Sequence, residues 1–93
     1  MTATNAGTGK VKVSVTNNRA KTLDVNAGFF KAVDSAGTET QSYITSELGE
    51  LQHIELVTGR TAKGTVDFRI STPLTKVVFT DPLGREIVTA NIK

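Results

Sequence analysis

His53 is the only histidine in the 93-residue chain, and there is no cysteine. A tetrahedral metal set drawn from imidazole and thiolate ligands therefore has no second member. The run His53-Ile54-Glu55 reads instead as part of a strand with Ile54 and Leu56 turned inward, which leaves His53 and Glu55 facing solvent. A nucleophilic relay can be written from Ser46, His53 and Asp67. No Gly-x-Ser-x-Gly elbow exists to expose that serine, so hydrolase chemistry is not expected. The stretch Asp34-Ser35-Ala36-Gly37-Thr38-Glu39 has carboxylates that could attract calcium, but it lacks the Asp-x-Asp-x-Asp-Gly spacing of a calcium loop. An Asp at the first position and a Gly at the fourth suit a tight turn in which the aspartate binds its own backbone. Gly7-Thr8-Gly9-Lys10 echoes a phosphate loop but fails its spacing and its following hydroxyl. The sequence thus offers no catalytic, cofactor-binding or metal-ligating residue.

Single-stranded nucleic acid is the binding class that a small barrel of this length could serve, through a basic groove with aromatic platforms. Phe30, Phe68 and Phe79 fall on inward positions, and only Phe29 and Tyr43 remain as platforms. Lys12, Arg19, Lys21, Lys31, Arg69, Lys76 and Arg85 are scattered among acids. Eleven Lys and Arg against nine Asp and Glu give +2, a mixed surface rather than a basic field. Nucleic acid is accordingly not the favoured partner.

The elements that carry these residues follow from composition and period. Thr, Val and Ile fill about a third of the positions, and β-branched side chains fit a pleated surface better than a helix. Such a length makes one domain, no apolar run is long enough to span a membrane, and the first residues do not form a signal peptide. Met1–Gly9 lacks any period and is expected to be a flexible tail, leaving 10–93 as a single domain. Strict alternation then places Val11, Val13 and Val15 on one face of a strand. Further strands are expected at Thr22–Val25, from Phe30 to Asp34, at Thr38–Ser42, around Leu51–Leu56, at Thr65–Ile70, at Lys76–Thr80 and at Arg85–Ile92. Tyr43–Gly49 shows no clean period and reads as a loop or one helical turn. Asp81-Pro82-Leu83-Gly84 is a type I turn sequence.

The segments Val13-Ser14-Val15-Thr16-Asn17-Asn18 and Lys21-Thr22-Leu23-Asp24-Val25-Asn26, with Phe30-x-Ala32-x-Asp34-x-x-Gly37-Thr38-Glu39, resemble an uncharacterised family of bacterial immunoglobulin-like domains. The downstream half agrees through Gly64-x-Val66-x-Phe68-x-Ile70 and Val77-x-Phe79-x-Asp81-Pro82-Leu83-Gly84. That family, found in secreted proteins and lipoproteins, is similar in fold to the mycobacterial immunoprotective extracellular protein. The resemblance covers Lys10 to Lys93 and implies an exported binding or structural module without catalytic residues. Its members usually carry a strand or two ahead of the one at Val11, where this chain has only the Gly, Thr and Asn stretch.

The expected architecture is all-β, an immunoglobulin-like antiparallel β-sandwich of about seven strands. Its core would be Val13, Val15, Leu23, Phe30, Ile54, Leu56, Val66, Phe68, Ile70, Val77, Phe79 and Val88. The expected function is a non-catalytic structural or protein-interaction module, secreted or at the cell surface. The alternatives are a barrel that binds single-stranded nucleic acid and a subunit acting only in assembly. With nothing upstream to pair with it, the strand at Lys10–Thr16 would have a free edge, and self-association is expected there.

Overall fold

Alternation of apolar and polar residues recurs through the chain, and the computed structural model, which describes Met1–Lys93, turns nearly all of it into strands. Nine form: β1 Thr2–Gly7, β2 Lys10–Thr16, β3 Leu23–Val25, β4 Phe30–Asp34, β5 Glu39–Gln41, β6 Ile54–Leu56, β7 Thr61–Asp67, β8 Leu74–Thr80 and β9 Glu86–Asn91. They make three antiparallel sheets, ordered β1-β2-β7, β3-β6 and β5-β4-β8-β9. There is no helix, and the molecule is an all-β, sandwich-like fold.

Val11, Val13 and Val15 of the three-stranded sheet and Phe30, Ala32, Val77 and Phe79 of the four-stranded sheet are almost wholly buried in one cluster. The rings of Phe30 and Phe79, opposite each other across β4 and β8, stand 5.1 Å apart at 33°. That tilt avoids the face-to-face stack that ring quadrupoles disfavour. Phe68 lies just past the end of β7 and is fully buried.

Several sequence expectations change. Met1–Gly9 is not a tail: Thr2–Gly7 pairs with β2, Ala3 is buried and Met1 packs against the core. The segment hides in the sequence because an edge strand is held by backbone bonds, and Ala3 is a modest side chain to bury. Gly9 closes the β1–β2 turn at φ +69, where a Cβ would lie 2.4 Å from the Ile70 carbonyl oxygen. That position requires glycine. Consequently β2 has no free edge near Lys10–Thr16, since β1 covers one side and β7 the other, and the ground for self-association there is removed.

Nine strands stand where the alternation marks about seven. The strand expected at Thr65–Ile70 runs instead over Thr61–Asp67, and Arg69 adopts a left-handed φ of 50 that breaks the alternation. Ile54 is not core but 43% exposed: it shares the inward face of the two-stranded β3–β6 ribbon with buried Val25 and Leu56, but stands at the end of that ribbon, at the first position of β6. Ile70 and Val88 are only partly buried and pack on the rim of the core. Tyr43–Gly49 contains no helical turn.

Candidate functional site

The residues with sequence-level claims to chemistry are held in structural roles, and they do not converge. His53 Nε2 lies 2.8 Å from Asp24 Oδ1 across the exposed β3–β6 ribbon. Asp67 directs its carboxylate to the Arg69 amide at 2.8 Å, and Ser46 donates its amide to Glu50. Ser46 and His53 border one shallow depression, but Asp67 lines another and His53 is paired with Asp24, so the three form no relay. Asp34 Oδ1 accepts from the amides of Ala36 and Thr38 at 2.9 Å each, and Gly37 donates to the Asp34 carbonyl, the turn expected from its spacing. Gly7-Thr8-Gly9-Lys10 is the β1–β2 turn. Asp81 builds the β8–β9 turn in the same way, accepting from Leu83 and Arg85 amides at 2.9 Å and from Arg85 Nε at 2.8 Å. Chiefly the Arg85 amide bond, against slight burial and with the help of the Arg85 side chain and the Leu83 amide, holds the Asp81 carboxyl below its ordinary value.

One segment stands apart. Between β5 and β6 the chain crosses the outer edge of β7 as a strap. Tyr43 donates its amide to the Asp67 carbonyl at 2.9 Å, Thr65 donates to the Gly49 carbonyl at 2.9 Å, and Leu51 donates to the Thr65 carbonyl at 3.0 Å. These bonds satisfy backbone groups that would otherwise form a bare sheet edge. Gly64 lets the strap lie close, since a Cβ there would sit 2.4 Å from the Leu51 Cα.

Inside the strap, Glu50 is the organising group. One carboxylate oxygen accepts from the Thr45 amide and, at 2.7 Å, from the Thr45 hydroxyl, and the other accepts from the Ser46 amide at 3.1 Å. Partial burial pushes this carboxyl up, but the hydrogen bonds from Thr45 and Ser46 outweigh it and hold the group below its ordinary value. Ser46 takes the left-handed φ of 59, a conformation that a non-glycine residue adopts at a cost. Lys10 Nζ pairs with Glu47 Oε2 at 3.1 Å, and the Arg69 guanidinium lies 4.9 Å from the centre of the Tyr43 ring, within cation–π range.

The strap is thus tied down along its length, yet it carries its apolar side chains outward. Leu48 is fully exposed at its tip, Ile44 is 58% exposed and Tyr43 47%. Shallow depressions of about 210 and 270 Å³ flank it, the first bordered by Lys10, Glu47 and Leu48 and the second by Ile44, Gln52 and His53. Open dishes of this size fit protein side chains rather than an enclosed small molecule.

Sequence reasoning assigned no function to this segment. The signal present in it was three apolar residues, Tyr43, Ile44 and Leu48, in a stretch with neither period. Asn17 was also missed. It is fully buried and donates through Nδ2 to the carbonyls of Lys21 and Leu56, at 2.8 and 2.7 Å, while its Oδ1 accepts from the Arg19 amide. No helix is long and apolar enough to cross a membrane. Comparison with family models, with curated proteins and with solved structures finds no match for the chain.

Proposed function

We propose that the chain is a non-catalytic, extracytoplasmic protein-interaction module that presents the Tyr43–Glu50 strap as its recognition surface. The observation that carries this reading is the exposure of Leu48 at the tip of a segment pinned by Glu50, by the Lys10–Glu47 pair and by the β7 edge. Leu48 is joined on this one segment by outward Ile44 and Tyr43, a grouping of exposed apolar side chains rather than a single one. A rigid loop with apolar side chains already displayed loses little conformational entropy on binding. Export is supported by the likeness of Val13–Asn18 and the Asp81–Gly84 turn to bacterial immunoglobulin-like domains of secreted proteins.

Nucleic-acid binding is disfavoured by the burial of Phe30, Phe68 and Phe79 and by the use of Arg69 on Tyr43, one of the two remaining platforms. The test is site-specific photo-crosslinking in extracytoplasmic material of the producing cell, with the photoreactive residue at position 48 or, as a control, at half-exposed Val57. A discrete protein adduct from position 48 and none from position 57 is the expected result. Equal labelling from both positions would remove the strap from the proposal.

A further inference from the structure

Val11, Val13 and Val15 face the core, so alternation along β2 turns Lys10, Lys12, Ser14 and Thr16 to the outer face of the three-stranded sheet. The register with β7 sets Thr65 opposite Lys12 and Lys63 opposite Ser14 on that same face. Lys12 and Lys63 are thus diagonal neighbours across the two strands, about 7–8 Å apart by sheet geometry, and both are exposed. Neither belongs to an ion pair of the chain. Around them the strands present the hydroxyl residues Thr4, Ser14 and Thr65 and no large apolar side chain.

This face runs into the strap. Lys10, Thr65 and Asp67 line the depression of about 210 Å³ that Glu47 and Leu48 border from the strap side. The carboxylates along that border are engaged: Glu47 with Lys10 Nζ, Asp67 with the Arg69 amide, and Glu50 with Thr45 and Ser46. Glu55 on β6 pairs with neither Lys12 nor Lys63. Two ammonium groups without a counter-charge therefore stand on the face that adjoins a displayed leucine.

We propose that the partner of the strap is a protein segment with carboxylates next to an apolar side chain: its acidic residues lie over Lys12 and Lys63, and its apolar residue meets Leu48. This rests on the strap as the recognition surface and names the chemistry of what that surface takes. Charge complementarity sets the acidic half, because like charges on neighbouring strand positions repel and a carboxylate between them relieves the repulsion. The apolar half follows from Leu48, Ile44 and Tyr43 beside the lysines. A sulfated or phosphorylated polysaccharide would satisfy the lysines but has no apolar side chain to set against Leu48.

Amide chemical shifts of the purified chain test it, with two synthetic hexapeptides as probes. Each has a central leucine, one among aspartates and glutamates and the other among lysines. The acidic peptide should move the amides of Lys12, Lys63 and Thr65 together with those of Glu47 and Leu48, and the basic peptide should move neither set. Lys12→Glu combined with Lys63→Glu should weaken the acidic peptide by about tenfold or more, roughly 1.4 kcal/mol, with the paired Gln variants in between. Lys76→Glu, on the outer face of the opposite sheet, should change its affinity by less than about twofold, since exposed charges that far apart are screened. Leu48→Ser should remove the strap shifts and keep those at Lys12 and Lys63. Strap shifts that survive the charge reversal overturn this proposal and leave the strap as a recognition surface. Shifts confined to Lys12 and Lys63 and indifferent to Leu48→Ser count against the strap itself, and the proposal falls with it. No shift from the acidic peptide, or equal shifts from the basic one, also overturns the proposal. So does tighter binding of a heparin hexasaccharide to the same face at about 150 mM salt, which would make an anionic glycan the occupant.

Discussion

Replacing Asn17 tests whether one buried amide holds the β2–β3 connection. Its side chain is fully buried and serves three backbone groups: the Leu56 carbonyl in the interior, and the Lys21 carbonyl and Arg19 amide closer to the surface. In Asn17→Ala the Leu56 oxygen loses this side-chain donor where water does not readily follow, at a cost of about 1–3 kcal/mol. The other two groups regain water in part and lose about 0.5–1.5 kcal/mol each. The expected loss is about 3 kcal/mol, or roughly 10–25 °C in Tm for a domain of this size.

Urea and thermal melts measure that loss, and Asn17→Asp identifies its cause. An ionised carboxylate would turn an oxygen toward two carbonyl oxygens, so the folded state favours its protonated form and raises its pKa above the unfolded value of about 3.9. Stability of the aspartate variant is then best below the unfolded pKa and is lost as pH rises through the folded one. Relative to wild type, Asn17→Asp should be worse at pH 7 than at pH 4, whereas the deficit of Asn17→Ala should change little. An alanine variant within about 1 kcal/mol of wild type, or an aspartate deficit equal at both pH values, would refute the reasoning.

Phe68→Ala should cost about 3–5 kcal/mol in urea melts, because it empties a fully buried position in a small core. Gly64→Ala should destabilise by about 1–3 kcal/mol and loosen the strap, read as faster exchange at the Leu51 amide, since its Cβ would press on the Leu51 backbone. The bonds that lower the Glu50 pKa contribute stability that is present above its ordinary value of 4.5 and lost as pH falls through the folded value. The amide resonances of Thr45 and Ser46 should therefore titrate with a midpoint below 4.5, and in Glu50→Gln that transition should vanish. Labelled single-stranded DNA and RNA should show no rise in anisotropy at about 150 mM salt, because a mixed-charge surface gains little from counterion release.

Much of the sandwich was legible because period 2 is a strong signal where side chains fill a core. Val11, Val13 and Val15 mark β2, and Phe30, Val77 and Phe79 mark the facing sheet. The Asp34 and Asp81 turns were legible because a short carboxylate followed by glycine encodes its own hydrogen bonds. β1 was not, because its backbone bonds to β2 and to Lys93 do not depend on apolar side chains. Asn17 reads as part of an Asn-Asn-Arg turn, and nothing local reveals that its amide reaches the carbonyl of Leu56, thirty-nine residues away. The strap escaped for a related reason: its conformation depends on Glu50 accepting backbone amides and on an edge of β7 that exists only once the sheet has formed.

Competition at the strap tests the recognition reading most directly. A photoreactive residue at position 43 reports on partner contact, and unlabelled chain is added in excess as wild type or as Leu48→Ser. Because Leu48 is fully exposed, the serine variant should match wild type in urea midpoint, within about 0.5 kcal/mol as for ordinary surface substitutions. Excess wild type should then abolish the adduct while excess Leu48→Ser leaves it in place. Equal suppression by both chains would contradict the assignment of the strap as the recognition surface.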